Sequence, residues 1–139
     1  MTKQTHITRE TVPENRRMAI TEKLFGDHFP ICLEPATYSF ADRLAKDYHS
    51  DCWEFYLLSN GGFYMASLSD QRFHVTCDNH FEGDLSADAL GTTICLYAYS
   101  HLSFSGMPEL ADTCNEHYHM LREFMLQYPE VRAILVATD

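Results

Sequence analysis

Eight histidines and five cysteines are the residues here best suited to chemistry, and their spacing limits what they can do together. His117 and His119 are two apart in a segment of helical periodicity. They therefore face different directions, whereas a chelating pair on a helix sits about four apart. His117 falls on an apolar stripe and reads as a hydrogen-bonded core histidine. His74 and Cys77 share an extended run, where a three-residue spacing places them on opposite faces. His49 and Cys52 straddle a helix-to-strand junction and would suit a small Cys/His hydrolase, yet nothing nearby supplies the third group that orients a base. Cys32, Cys52, Cys77, Cys95 and Cys114 contain no CxxC pair, and their odd number suits reduced, mostly buried thiols. GxSxG, HExxH and paired-carboxylate motifs are absent, so the expectation is no catalytic residue, no metal ligand and no bound cofactor.

The glycines of "LLSNGGFYMAS" raise a second chemical possibility, a loop that cradles phosphate. Such a loop needs a helix after the glycines, with free N–H groups at its start. Here they lead into an aromatic strand, and neither GxxxxGK[ST] nor GxGxxG is present. Asn60-Gly61 instead suits a tight hairpin with positive φ at both central positions.

The surrounding elements follow from periodicity. "CWEFYLLS" alternates as a strand, "GFYMASL" returns as its partner, and "RFHVTCD" reads as a third. "RRMAITEKLFG" suggests a short helix ending near Gly26. A helix from Pro35 to Tyr48 carries Phe40, Ala41, Leu44, Ala45 and Tyr48 on one face. Ser86 is placed to cap a largely buried helix, with Asp88 in its first turn and Gly91 marking close packing. A further helix spans Glu109 to Tyr128 with Leu110, Cys114, His117, Leu121, Phe124, Met125 and Tyr128 as its stripe. After Pro129 a short terminal helix points Val131, Ile134 and Leu135 inward. This order implies an α+β fold, with a small antiparallel sheet of hairpin-connected strands covered by helices. Its 139 residues suit one domain, with residues 1–12 expected to be loose.

Charge points away from nucleic acid. Residues 1–24 hold five basic and three acidic residues, a balance of +2, so of the formal −10 the rest of the chain carries −12. No Lys or Arg lies between Arg72 and Arg122, while Asp78, Glu82, Asp84, Asp88, Glu109, Asp112 and Glu116 do. Such a surface repels a phosphate backbone and favours a basic protein partner. No apolar run approaches the ~18 residues of a membrane span, and the N-terminus lacks the apolar stretch of a secretory signal. The expected location is the cytoplasm.

Four segments carry a resemblance. "SNGGFYMA" (59–66), "FEGDLSADALG" (81–91), "YHMLREFMLQYPE" (118–130) and "VPENRRM…LFG" (Val12 to Gly26) together resemble the ArdB/KlcA family of antirestriction proteins, in order and over nearly the whole chain. One departure is Ser67, where the family pattern has proline. The resemblance implies an accessory protein of plasmids, phages or genomic islands. Such a protein shields incoming unmodified DNA from host type I restriction–modification, with no cofactor and no known catalytic step.

Net −10 is modest for a mimic of duplex DNA, so the expected mode is protein–protein contact with the restriction complex or a factor controlling it. The expected contact surface comprises Asn60, Gly61 and Gly62 at the turn, Tyr64 as an aromatic anchor or cross-strand core residue, and the acidic Glu82, Asp84 and Asp88. Asp84 is expected in an exposed loop. The alternative is a plasmid-encoded regulatory or interaction module acting on another protein.

Overall fold

The computed structural model describes residues 6–47 and 52–138. Its elements are β1 (Arg9–Thr11), α1 (Arg17–Phe25), α2 (Glu34–Leu44), β2 (Trp53–Leu58), β3 (Phe63–Ser67), β4 (Arg72–Thr76), β5 (Glu82–Ser86), α3 (Ala87–Leu102), α4 (Pro108–Met125) and α5 (Val131–Thr138). The fold is α+β, as expected, but its strands form two antiparallel sheets. One has the order β1-β2-β3 and the other is the ribbon β4-β5.

The residues expected to be loose include strand β1, which pairs with β2 through Arg9 opposite Leu58 and Thr11 opposite Tyr56. Residues 1–5 lie outside the described residues. β2 and β3 form the anticipated hairpin, with Tyr56 opposite Tyr64 and Leu57 opposite Phe63. Their turn departs from the expectation. Gly61 has φ 95°, but Asn60 keeps a negative φ. The Gly61 N–H donates to Leu58 O at 2.9 Å and the Leu58 N–H to Gly62 O at 2.8 Å. This is a three-residue loop that needs one left-handed residue rather than two.

α1 stops at Gly26, whose φ of 60° suits glycine and whose N–H donates to Glu22 O. The expected Pro35–Tyr48 helix is shorter. It begins at Glu34, ends at Leu44, and is preceded by a π turn over Phe29–Leu33; Tyr48 lies outside the described residues. Pro35 cannot donate to the carbonyl four residues back, which favours the wider turn there. α4 likewise ends at Met125, short of Tyr128.

α3 is the central helix, flanked by β3, α2, α4 and α5. Ser86 caps it as expected, its Oγ accepting the Ala89 N–H at 3.1 Å. A Cβ on Gly91 would sit 2.5 Å from both Ala66 Cβ and Met65 O, so the glycine lets helix and strand backbones approach. Beneath the β2–β3 hairpin, Phe25, Phe29, Phe55 and Phe63 pack with ring centroids 5.6–5.9 Å apart. Cys77, Cys95 and Cys114 are buried free thiols, Cys32 is half-buried and Cys52 exposed. No helix among the described residues is long and apolar enough to cross a membrane.

Candidate functional site

The residues singled out from sequence fall into three places. The first is the hairpin turn, which is docked on α4. Asn60 Nδ2 donates to Met120 O at 2.9 Å, and Asn60 Oδ1 accepts the Gly62 N–H at 3.1 Å. A Cβ on Gly62 would lie 2.9 Å from a Leu58 methyl and 3.1 Å from Met120 Cβ. Gly62 is buried, and Gly61 remains at the surface.

The second place is a polar network that corrects the reading of Tyr64 and Asp88. Tyr64 is 0% exposed, so it is no surface anchor. Its hydroxyl donates to Asp88 Oδ1 at 2.8 Å and accepts from Arg9 and, at 3.1 Å, from the Tyr128 hydroxyl. Arg9 also donates to Asp88 Oδ1 at 2.6 Å and lies over the Tyr56 ring at 4.3 Å. Asp88 therefore joins β1, β3 and the start of α3 instead of presenting a bare carboxylate. Burial, with Tyr128 and Asp88 nearby, pushes the Tyr64 phenol well above its ordinary range. Gln127 completes the clasp on the N-terminal segment through two 2.8 Å bonds with the Ile7 N–H and carbonyl.

The third place is the outer face of the β4–β5 ribbon. Asp84 lies in strand β5, not in a loop, directly opposite His74. His74 Nδ1 is 3.0 Å from Asp84 Oδ1, and Nε2 is 2.8 Å from Glu82 Oε2. Bonds to Asp84 first and Glu82 second raise the imidazole pKa above its ordinary value. Glu82 and Asp84 are exposed, and Asp88 is half-exposed and paired with Arg9.

Of the two possible catalytic pairs, only His74 and Cys77 both fall within the described residues, and they do not meet. His49 lies outside the described residues, and His74 faces outward while Cys77 is buried. His117 is 5% exposed and packs on Phe25 and Tyr99 with centroids at 4.6 and 5.6 Å. The expected hydrogen bond is missing at Nδ1, which is buried without a partner, and burial pushes the imidazole down to about 4. Among the described residues no group of three or more His, Cys, Asp or Glu could hold a metal ion.

Sequence reading missed a cleft of about 570 Å³ between α1, the π turn and β2. Phe29, Phe55 and Met18 give it apolar walls, and Glu14, Glu22, Asp27 and Glu34 ring it. None of these carboxylates has an ion-pair partner among the described residues. Burial raises the Glu34 carboxyl above its ordinary value. Arg17, the cation of the lining, is turned to its own neighbours: it donates to Trp53 O at 2.9 Å, stands 3.7 Å from Glu54, and stacks on Phe55 at 4.6 Å. Met18, in the lining, is 82% exposed. The signal available in sequence was the spacing of Glu14, Glu22, Asp27 and Glu34 around two short helices, but their convergence depends on the turn at Gly26.

A docked turn, a half-buried polar network and an apolar cleft ringed by carboxylates mark the surface of a small α+β protein. Comparison with known proteins gives the family. A family model described as Antirestriction protein matches residues 46–139. An antirestriction protein KlcA of Escherichia coli is 38% identical over 133 residues, covering 92% of this chain and 90% of its own length. Uncharacterized protein YafX of Escherichia coli K12 is 35% identical over 138 residues, covering 96% and 88%. A solved structure from a study of KlcA and ArdB superposes with a TM-score of 0.90 at 34% identity, covering 100% of this chain and 99% of its own. That study describes a novel fold, with antirestriction activity against type I DNA restriction systems in vivo but not in vitro. The chain belongs to the antirestriction protein family.

Proposed function

We propose that this protein protects incoming unmodified DNA by interfering with a host type I restriction–modification system, through protein–protein contact and without a catalytic step. The observation that carries the reading is the full-length structural likeness, at a TM-score of 0.90, to a protein from a study reporting that activity. The acidic balance of −10 supports a protein partner over DNA, since it disfavours approach to a phosphate backbone. The partner is the restriction complex or a cellular factor that controls it. The second alternative draws support from the relatives' activity in vivo but not in vitro, which fits a requirement for something present in the cell. Plating of unmodified phage on a type I restricting strain, with and without the expressed chain, tests the reading. A rise confined to that strain supports it, and no rise with folded protein present refutes it.

A further inference from the structure

We propose that the cleft between α1, the π turn and β2 seats a short segment of a partner protein that carries a lysine or arginine beside an apolar side chain. This inference deepens the reading of antirestriction by protein contact and rests on it. The cleft's ≈ 570 Å³ lies in the range that ligand sites occupy, about 300–1,000 Å³. Its chemistry has two parts. Phe29, Phe55 and Met18 offer an apolar surface, and the strong exposure of Met18 extends it outward. Exposed apolar side chains next to a concavity mark contact sites more often than isolated ones do.

The second part is charge. Glu14, Glu22, Asp27 and Glu34 against Arg17 give the lining a net charge of −3, and none of the four carboxylates is ion-paired among the described residues. Arg17 is already committed to Trp53 and Phe55, so it does not neutralise the ring. Glu34, half-buried against the apolar wall, has lost hydration that an incoming cation partly recovers, and the exposed Glu14, Glu22 and Asp27 attract that cation across the rim. A nucleic acid is repelled by the same ring, and an anionic segment is repelled too. The described carboxylates do not group as a metal site. A cation on an aliphatic stem, next to an apolar side chain, satisfies both wall and rim.

The test uses the full ¹⁵N-labelled chain and three amidated peptides, AKLRLA, AELELA and AKGRGA, followed by NMR. AKLRLA is expected to shift the amides of Thr21, Gly26, Asp27, Phe29 and Phe55 saturably. AKGRGA should bind the same place at least about threefold more weakly for lack of apolar contact. AELELA should leave those amides unmoved. Replacing Glu22→Gln and Glu34→Gln together should weaken AKLRLA about tenfold, and added salt should weaken it further. Should the double variant fail to fold, Glu22→Gln alone, on the exposed face of α1, should weaken binding about threefold.

Equal binding of AELELA, unchanged affinity in the folded variant, or shifts confined to amides elsewhere would each overturn the cleft assignment. Phage plating keeps the two ideas separable. Protection by the wild-type chain without peptide binding at the cleft ends this inference alone, whereas absence of protection ends the antirestriction reading.

Discussion

His117 makes this fold sensitive to acid in a way that can be calculated. The ring is enclosed by Phe25 and Tyr99, its Nδ1 lacks a partner, and burial holds its pKa near 4. An unfolded histidine titrates near 6.5. The folded state therefore keeps the ring neutral while the unfolded state takes up a proton, so stability is full above about pH 6.5 and lost as pH falls toward 4. The full shift is worth about 3 kcal/mol, of which about 2 kcal/mol is already lost at pH 5. His117→Leu removes the titrating group and keeps a side chain of similar volume. Urea unfolding of wild type and variant at pH 7.5 and pH 5.0 gives the difference of differences. The expected result is that wild type loses about 2 kcal/mol more than the variant on acidification. That comparison cancels groups common to both, including His74. A gap between the two proteins that stays constant within about 0.5 kcal/mol would refute the reasoning.

Further consequences follow from individual contacts. Asp88→Ala strips Arg9 and Tyr64 of their shared acceptor, and because the pair is partly exposed the expected loss is about 1–3 kcal/mol by urea unfolding. Glu82→Gln should cost under about 0.5 kcal/mol in the same measurement, since it lies on the solvent face of the ribbon. Gly91→Ala gains about 1 kcal/mol of helix propensity but drives a methyl into β3, so a net destabilisation of about 1–3 kcal/mol is expected, seen as a lowered Tm. His74 should titrate above an ordinary histidine by NMR, with stabilisation present below about pH 6.5 and lost as pH rises through its folded value. Combining Glu82→Gln and Asp84→Asn should return it toward the ordinary value.

What could be read from sequence was local. Alternation over Trp53, Phe55 and Leu57 located β2, the 3.6-residue stripe located α4, and Ser86 marked the start of α3. β1 was invisible because Arg-Glu-Thr has no apolar alternation; it is a strand because β2 offers an unpaired edge. β5 was hidden by Glu82, Gly83 and Asp84, and it exists through pairing with Phe73 and Val75 in β4. The turn was expected to have two left-handed residues, but docking Asn60 on Met120 O accompanies a loop that needs one. Among the seven candidate contact residues, Tyr64 proved buried and Asp88 paired, through a shared partner, Arg9, that lies 55 and 79 positions away. No periodicity reports such distances. The cleft was missed for the same reason, since the chain reversal at Gly26 brings its two acidic rims together.

The central claim is antirestriction by contact, and it is measured by how phage plating varies with the amount of this chain in the cell. Unmodified phage would be plated on a type I restricting strain and a matched non-restricting strain across graded expression, with intracellular chain quantified. The account predicts a rise confined to the restricting strain that climbs with copy number and saturates once the chain matches its target. A flat response with folded protein present would contradict antirestriction. Full protection at a small fraction of the target's abundance would contradict contact as the mode of action.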